Sequence, residues 1–143
     1  MQSISHKEVS HRPASVASVT TSFNSVRVLP RQLDALLRQS RPIQEIIVVD
    51  NGSCDGTREM LAKHYPQVKV IQLRENLGAA GAWAAGLSYA ALERRHDWVW
   101  SFDDDSVPAP DALQALLELH RELAPEYQNI GMLAPFPVHE KTG

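Results

Sequence analysis

The sequence predicts an α/β fold in which a mainly parallel sheet carries helices on both faces. From about residue 15 onward, short β-branched or apolar runs alternate with segments of helical periodicity, the pattern of successive βαβ units. Residues 45–50 form a continuous apolar run, as expected of a strand covered on both sides. Polar, turn-forming residues follow the predicted strands. Since ligands of open α/β sheets bind beyond the carboxyl ends of the strands, these residues mark the candidate site.

The composition fits a globular domain and excludes several classes of function. The chain has 143 residues, of which 43% are hydrophobic and 22% charged, so it can bury a core. Its net charge of −3 offers no basic surface for nucleic acid. Cys54 stands alone, which excludes an internal disulfide and a cysteine-rich zinc site and favours a reducing compartment.

The sequence shows no membrane or secretion signal, so we expect a cytoplasmic location. No apolar run approaches the ~18 residues needed to span a bilayer, and the N-terminus lacks the apolar region of a signal peptide. Residues 1–14 are polar and without periodicity. We interpret them as a mobile leader, and residues 15–143 as the folded domain.

The first half of the domain contains three predicted strands and two predicted helices. Residues 15–22 are short and β-branched, which is typical of a strand. A helix then begins at Pro30, and its apolar stripe consists of Leu33, Leu36 and Leu37. The apolar run 45–50 is the second strand, a second helix extends to about Tyr65, and residues 68–73 form the third strand.

The second half continues the alternation. Residues 76–81 lead into a helix of small residues that reaches about Arg94, and its alanines, glycines and Trp83 indicate close packing against a neighbour. Residues 97–102 are the fourth strand, a further helix begins at Pro110, and residues 129–134 are a candidate fifth strand.

Three carboxylates, Asp103–Asp105, directly follow the fourth strand. Clustered acids repel one another and are costly to dehydrate. A divalent cation relieves both effects, and oxygen ligands suit Mg²⁺ or Mn²⁺. The alternative is that the acids lie in water and cap the next helix. The acids alone do not separate the two interpretations.

The other strand ends carry further polar candidates, and each has a structural alternative. The segment 50–53 is equally typical of a tight turn, and Asp55 is expected to cap the following helix. Gly78 and Gly81 fit close helix packing as well as a ligand loop. Neither G-x-G-x-x-G nor G-x-x-x-x-G-K-[ST] is present, which argues against a P-loop phosphate site.

Four motifs taken together resemble the family 2 glycosyltransferases of the GT-A fold. They are Thr-x-Phe-Asn at 21–24, the run from Glu45 to Thr57, Glu-Asn-Leu-Gly at 75–78 and Phe-Asp-Asp-Asp at 102–105. The resemblance covers residues 16–134, and the segment 76–81 is most similar to rhamnosyltransferases and galactofuranosyltransferases. It implies the Rossmann-like, nucleotide-binding half of such an enzyme.

The resemblance also implies roles for individual residues. Thr21 and Asp50 match positions that hold the nucleotide base, with Asp50 accepting a hydrogen bond from a uracil or thymine ring. The run 103–105 looks like the D-x-D motif, whose last acid binds the metal. The implied nucleotide-binding residues are Thr21, Ser22, Asn24, Asp50, Asn51, Asn76, Gly78, Asp103 and Asp104, and the implied metal ligands are Asp105 and Asp103.

The reaction implied is an inverting transfer from a UDP- or dTDP-sugar, assisted by Mg²⁺ or Mn²⁺. The acceptor would be a glycan or a lipid-linked sugar of the cell envelope, and relatives often act peripherally at the inner face of a membrane. The family's general base lies well downstream of D-x-D, whereas this sequence ends at Gly143. We therefore expect a donor-binding part without its acceptor part, inactive or weak by itself.

Two other interpretations remain open. A sugar nucleotidyltransferase would carry a glycine-rich, basic loop after the first strand, and residues 21–24 lack one. A non-catalytic nucleotide-binding or scaffolding module would use an exposed sheet edge to pair with another chain, and a homodimer is one such arrangement.

Overall fold

A computed structural model describes residues 13–127 and 130–134. Its sheet has four strands in the order β3-β2-β1-β4, and every pairing is parallel. The strands are β1 (Val16–Ser22), β2 (Glu45–Asp50), β3 (Lys69–Gln72) and β4 (Trp98–Asp103). The predicted parallel sheet is confirmed.

The predicted helices are also found, with shifted boundaries. The helix expected at Pro30 begins one residue earlier, and the helix expected at Pro110 begins at Ala112. The small-residue helix ends in a π-helical turn, Tyr89–Glu93. The helices are α1 (Leu29–Leu37), α2 (Thr57–His64), α3 (Gly78–Ser88) and α4 (Ala112–Leu123).

The two faces of the sheet bury separate apolar clusters. On one face, Leu33 and Leu36 of α1 and Leu61 of α2 pack with Ile46 and Val48 of β2. On the other face, the small residues of α3 and the π-helical turn pack against β1 and β2, with Ala17, Val19, Ile47, Val49, Ala82 and Ala90 buried together. Helices therefore cover both faces, as predicted, and the interior run of β2 is apolar because both of its sides are covered.

The close packing of α3 depends on Gly86. A Cβ atom at this position would lie 2.5 Å from Val19 Cγ1 and 2.8 Å from Val49 Cγ2, so the helix backbone nearly touches the sheet. Gly78 has no atom within 4 Å of such a Cβ, and at Gly81 the nearest atoms belong to the Leu77 side chain. The close approach therefore belongs to a glycine other than the two singled out in the sequence.

The predicted fifth strand is wrong over residues 130–134, which have no regular secondary structure. Ile130 is the β-branched residue of this stretch, Gly131 has no side chain to pack, and Met132 is 83% exposed. The segment has too little apolar surface facing one side to be held against the sheet. Residue 129 lies outside the described residues.

Most of the predicted leader, residues 1–12, also lies outside the described part of the chain, as do residues 128–129 and 135–143. Pro13 and Ala14 are described, and the Ala14 carbonyl accepts a hydrogen bond from Arg41 Nη2 at 2.9 Å. Among the described helices, none combines the length and apolarity required to cross a bilayer.

Candidate functional site

The carboxyl ends of three neighbouring strands lie side by side. Ser22 is the register partner of Asp50 in β2, and Thr21 is the partner of Asp103 in β4. Side chains alternate between faces along a strand. Ser22 and Asp50 therefore point to the α1 and α2 side, whereas Thr21 and Asp103 point to the α3 side. A ligand that contacts both Thr21 and Asp50 must therefore extend across the carboxyl ends of the strands, from one face of the sheet to the other.

The loops after β1 and β2 are tied together by hydrogen bonds. Asn24, in the left-handed region at φ 55°, accepts from Cys54 N at 2.9 Å through Oδ1 and donates from its own N to Ser53 Oγ at 2.9 Å. Asp55 Oδ2 accepts from Val26 N at 3.1 Å. The predicted ligand Asn24 thus also has a structural role, since it fixes one loop against the other.

Asp55 caps the start of α2, as predicted. Its Oδ1 accepts from Thr57 N at 3.0 Å and from Thr57 Oγ1 at 2.5 Å. Thr57 Oγ1 in turn accepts from Ser25 N at 3.0 Å. Burial raises the pKa of Asp55, but these hydrogen bonds, together with that from Val26, outweigh it and hold the pKa below its ordinary value.

Asp50 is fully buried at the end of β2. Its Oδ1 accepts from Ser53 N at 3.1 Å. Its Oδ2 lies 3.5 Å from Arg58 Nη2 and has no hydrogen bond within the described part of the chain. The neighbouring Ser22 Oγ is likewise buried without a hydrogen-bond partner there. Since buried oxygens are nearly always hydrogen-bonded, these two atoms mark a place where a donor from a ligand or water belongs.

Asn51 links the loop after β2 to the loop before α3. Its Oδ1 accepts from Leu77 N at 2.9 Å, and its Nδ2 donates to Asn76 Oδ1 at 2.9 Å and to Gly78 O at 3.2 Å. Asn76 Oδ1 also accepts from Gly78 N at 2.8 Å. The two predicted nucleotide-binding amides therefore bind each other, and they shape the loop that opens α3.

The acidic turn after β4 presents two carboxylates to solvent. Asp103 and Asp105 are exposed, whereas Asp104 is half-buried and accepts a hydrogen bond from Ser25 Oγ. Asp104 is thereby tied to the loop after β1. The outer two acids remain on the exposed side of the turn.

Gln32 of α1 holds the backbone of this turn and was not identified from the sequence. Its Nε2 donates to the carbonyls of Asp103 and Ser106, the latter at 2.7 Å, and its Oε1 accepts from Thr20 Oγ1 at 2.8 Å. Its side chain is buried. An amide beside Leu33 in the apolar stripe of α1 was the available signal, since a buried amide requires partners.

The donor set fits a cation that is shared with a ligand. Among the described residues, no three His, Cys, Asp or Glu side chains come close enough to hold a metal ion by themselves. Mg²⁺ in nucleotide enzymes is usually held by one or two carboxylates together with phosphate oxygens and waters. Asp103 and Asp105 can supply the protein part of such a set.

Solved structures show which fold this is. Residues covering 77% of the chain superpose, at a TM-score of 0.64 and 24% identity, on 33% of the mannosyltransferase PcManGT from Pyrobaculum calidifontis in complex with GDP-Man and Mn²⁺. S. aureus TarS residues 1–349 in complex with UDP-GlcNAc gives a TM-score of 0.63 at 22% identity, over 76% of this chain and 31% of that one. The fold is therefore that of the GT-A glycosyltransferases, as predicted.

Sequence comparison then gives the family. The model of Glycosyl transferase family 2 matches residues 18–129, so the chain belongs to this family. The galactofuranosyltransferase GlfT1 of Mycolicibacterium smegmatis is 33% identical over 102 residues, which are 71% of this chain. The chain spans 33% of the length of that relative.

Proposed function

We propose that this chain binds a UDP- or dTDP-sugar together with Mg²⁺ or Mn²⁺, for inverting transfer of the sugar to a glycan or lipid-linked acceptor. One observation carries the proposal. At the carboxyl ends of the strands, Asp50 Oδ2 is buried and has no hydrogen bond among the residues that the structure describes, and it lies on one side of β1. The exposed carboxylates of Asp103 and Asp105 lie on the other side. The first suits a base and the second suits a metal-bound diphosphate.

Asp50 would recognise the base through a charged acceptor. Uracil and thymine each carry a ring N–H that can donate to Oδ2, and a hydrogen bond to a charged group contributes about 1.5–3 kcal/mol. Cytosine presents a ring lone pair at the same position and keeps only its exocyclic amino group as a donor, so we expect it to bind less well. Guanine also carries a ring N–H, so the GDP-Man complex of PcManGT is compatible with the same type of contact.

The diphosphate would lie on the α3 side of the edge. Asp103 points to that face, and α3 begins there at Gly78 with no acidic residue in its first turn. The N–H groups of a helix N-terminus favour anions. When bound between Asp103, Asp105 and the phosphates, the divalent cation would act as a Lewis acid that stabilises negative charge on the departing nucleoside diphosphate.

The transfer would form one bond and break one. The acceptor hydroxyl oxygen bonds to the anomeric carbon of the sugar as the bond from that carbon to the diphosphate oxygen breaks, and the configuration inverts. The hydroxyl proton passes to a general base, which we assign to no residue here. The contribution of the residues described above is to hold donor and metal in place. The name of the galactofuranosyltransferase relative supports the class of reaction.

The test is calorimetry with UDP, dTDP, GDP and CDP, each with MnCl₂ and with EDTA. We expect UDP and dTDP to bind in Mn²⁺, to bind at least about tenfold more weakly in EDTA, and to bind at least about tenfold better than CDP, which corresponds to ~1.4 kcal/mol. Asp105→Asn should remove most of the Mn²⁺ effect. Glu122→Gln, which changes an exposed acid of α4, is the matched control.

Absence of metal-dependent binding of both UDP and dTDP would overturn the proposal. Equal binding of CDP and UDP would remove the role given to Asp50.

A further inference from the structure

We infer that Arg58 gates the nucleobase site. In the unliganded protein its guanidinium lies against Oδ2 of Asp50, and on binding the ring N–H of the base displaces the guanidinium from this oxygen. The inference rests on the proposed function, because it concerns the same site. It adds a residue that neither the motifs nor the family match singles out.

The Asp50 carboxylate is closed to solvent. Its side chain is 0% exposed, whereas that of Arg58 is 45% exposed. Oδ1 is engaged with Ser53 N, and Oδ2 faces Arg58 Nη2 at 3.5 Å without a hydrogen bond in the described part of the chain. A ligand can reach Oδ2 only if a group beside it moves.

The loop over Asp50 is not the group that moves. Residues 51–56 are fixed by the hydrogen bonds of Asn24 to Cys54 N and of Asp55 to Val26 N. At Gly52 the chain passes so close to its neighbour that a Cβ would lie 2.8 Å from the Glu75 carbonyl carbon. Opening this loop would break several contacts at once. Displacing the Arg58 side chain breaks one long ion pair.

The position of Arg58 in α2 also indicates that its guanidinium is held in place by Asp50 and not by the helix. Arg58 lies in the first turn of α2, where the helix dipole disfavours a cation. The other acidic and basic residues of α2 follow the order that the dipole favours, with Glu59 in the first turn and Lys63 and His64 in the last. The attraction to Asp50 is therefore what holds the guanidinium against the carboxylate, and a ligand that satisfies Oδ2 releases it.

The exchange favours a base that donates. The Arg58–Asp50 pair is long, lacks a hydrogen bond and has one half-exposed member, whereas a ring N–H would make a short hydrogen bond to the charged acceptor. Uracil, thymine or guanine can therefore replace the guanidinium through a ring N–H. Cytosine presents a lone pair in place of that ring N–H and keeps only its exocyclic amino group as a donor, so we expect it to replace the guanidinium less well. Arg58 thus adds a threshold that favours bases with a ring N–H.

The experiment measures the Kd of UDP in MnCl₂ by calorimetry for the full chain and its variants. Arg58→Ala removes the competitor and is expected to bind UDP about fivefold more tightly, the scale of an ion pair with a solvent-exposed member. Arg58→Lys should stay close to the parent. Lys63→Ala, which removes an exposed cation from the other end of the same helix, is the matched control and should leave the Kd unchanged.

A double-mutant cycle separates gating from a general effect on the fold. In the Asp50→Asn background the ion pair is gone, so Arg58→Ala should no longer change the Kd. A crystal structure of the UDP complex gives an independent reading that needs no variant, and in it Arg58 should lie beyond ion-pair distance of Asp50.

Each other result decides against the gate. UDP binding by Arg58→Ala that is equal to or weaker than that of the parent overturns it, as does an effect of the same size in the Asp50→Asn background. An Arg58–Asp50 contact that persists beside bound UDP does so too. If neither the parent nor Arg58→Ala binds UDP, dTDP or GDP, the proposed function falls and the gate with it. Binding by Arg58→Ala alone supports both.

Discussion

Gln32 shows how a side chain in the core determines the shape of the surface above it. It reaches from α1 to two carbonyls of the acidic turn and is itself held by Thr20. The backbone that carries Asp103 and Asp105 is therefore held in place by a buried side chain of α1. Preorganisation of this kind would lower the cost of assembling the proposed metal site when the ligand arrives.

We expect Gln32→Met to weaken Mn²⁺-dependent UDP binding by about tenfold or more. The change keeps the side-chain volume but leaves the carbonyls of Asp103 and Ser106 without this donor, and each lost hydrogen bond costs about 0.5–1.5 kcal/mol. Calorimetry and a denaturant titration measure the two effects.

The matched control is Gln39→Met. Gln39 is also buried and bonds the backbone of Ala109 and Leu113, away from the acids. The Gln39→Met variant should lower the free energy of unfolding by about as much as Gln32→Met does, with no change in UDP affinity. Equal losses of affinity in the two variants would contradict the role given to Gln32.

At the scale of elements, α3 combines a weak amphipathic pattern with an intimate contact. Its sequence consists mainly of Ala and Gly, so apolar periodicity says little about which side is buried. Gly86 determines which side of α3 faces the sheet, because the helix can approach Val19 and Val49 only at a residue without a Cβ atom. In the proposed function the position of α3 would matter, because its first turn would lie beside the diphosphate.

We predict that Gly86→Ala destabilises the protein by about 1–3 kcal/mol, the usual cost of overpacking a core. Alanine favours a helix over glycine by about 1 kcal/mol, so a loss of stability can come only from the clash with the sheet. Chemical denaturation measures the change. Val19→Ala in the same chain should recover part of the loss, and additive effects of the two substitutions would exclude the clash.

The elements that the sequence predicted well are those whose pattern is local. The apolar run of β2 follows directly from burial of both faces of that strand. The apolar stripe of α1 that contains Leu33 follows from burial of one side of the helix. The proposed strand at 129–134 depended on a short apolar run, and only tertiary packing decides such a case. The π-helical turn 89–93 was also missed. It is tied down by contacts distant in sequence, from Tyr89 and Arg94 to Glu45.

The candidate site was predictable as a set of strand ends, because parallel strands bring those ends together. The partners of each group were not. Asn51 and Asn76 have the chemistry of ligands, yet they hydrogen-bond each other. Arg58 and Gln32 have ordinary positions in helical segments, and their roles follow from contacts that no local spacing encodes.

At the scale of the whole molecule, ionic contacts near the amino end of β2 make stability depend on pH. Glu45 accepts from Arg94 Nε at 3.0 Å and contacts His96 Nε2 at 2.9 Å. Burial raises the pKa of Glu45, but the hydrogen bonds from His96 and Arg94 outweigh it and hold the pKa below its ordinary value. These contacts join β2 to the segment that leads into β4.

We expect the melting temperature to fall as the pH is lowered below about 4.5. A carboxyl group whose pKa is lower in the folded protein stabilises that state above its unfolded pKa, and the contribution is lost as the pH falls through the folded pKa. Glu45→Gln should lower the melting temperature at pH 7 and flatten its dependence on pH between about 3 and 5. Glu59→Gln, at an exposed position, should retain the slope of the parent, and a slope unchanged by Glu45→Gln would contradict this assignment.

The crossing of Gly52 over residues 75 and 76 sets unequal tolerances to sequence change. The atoms that a Cβ at 52 would meet belong to the main chain at 75 and 76, which every amino acid possesses. No substitution at position 75 can therefore make room for a larger residue at position 52. The side chain at position 75 is not part of this contact, so the residue type there can vary. Among functional descendants of this chain, position 52 should stay glycine and position 75 should diversify.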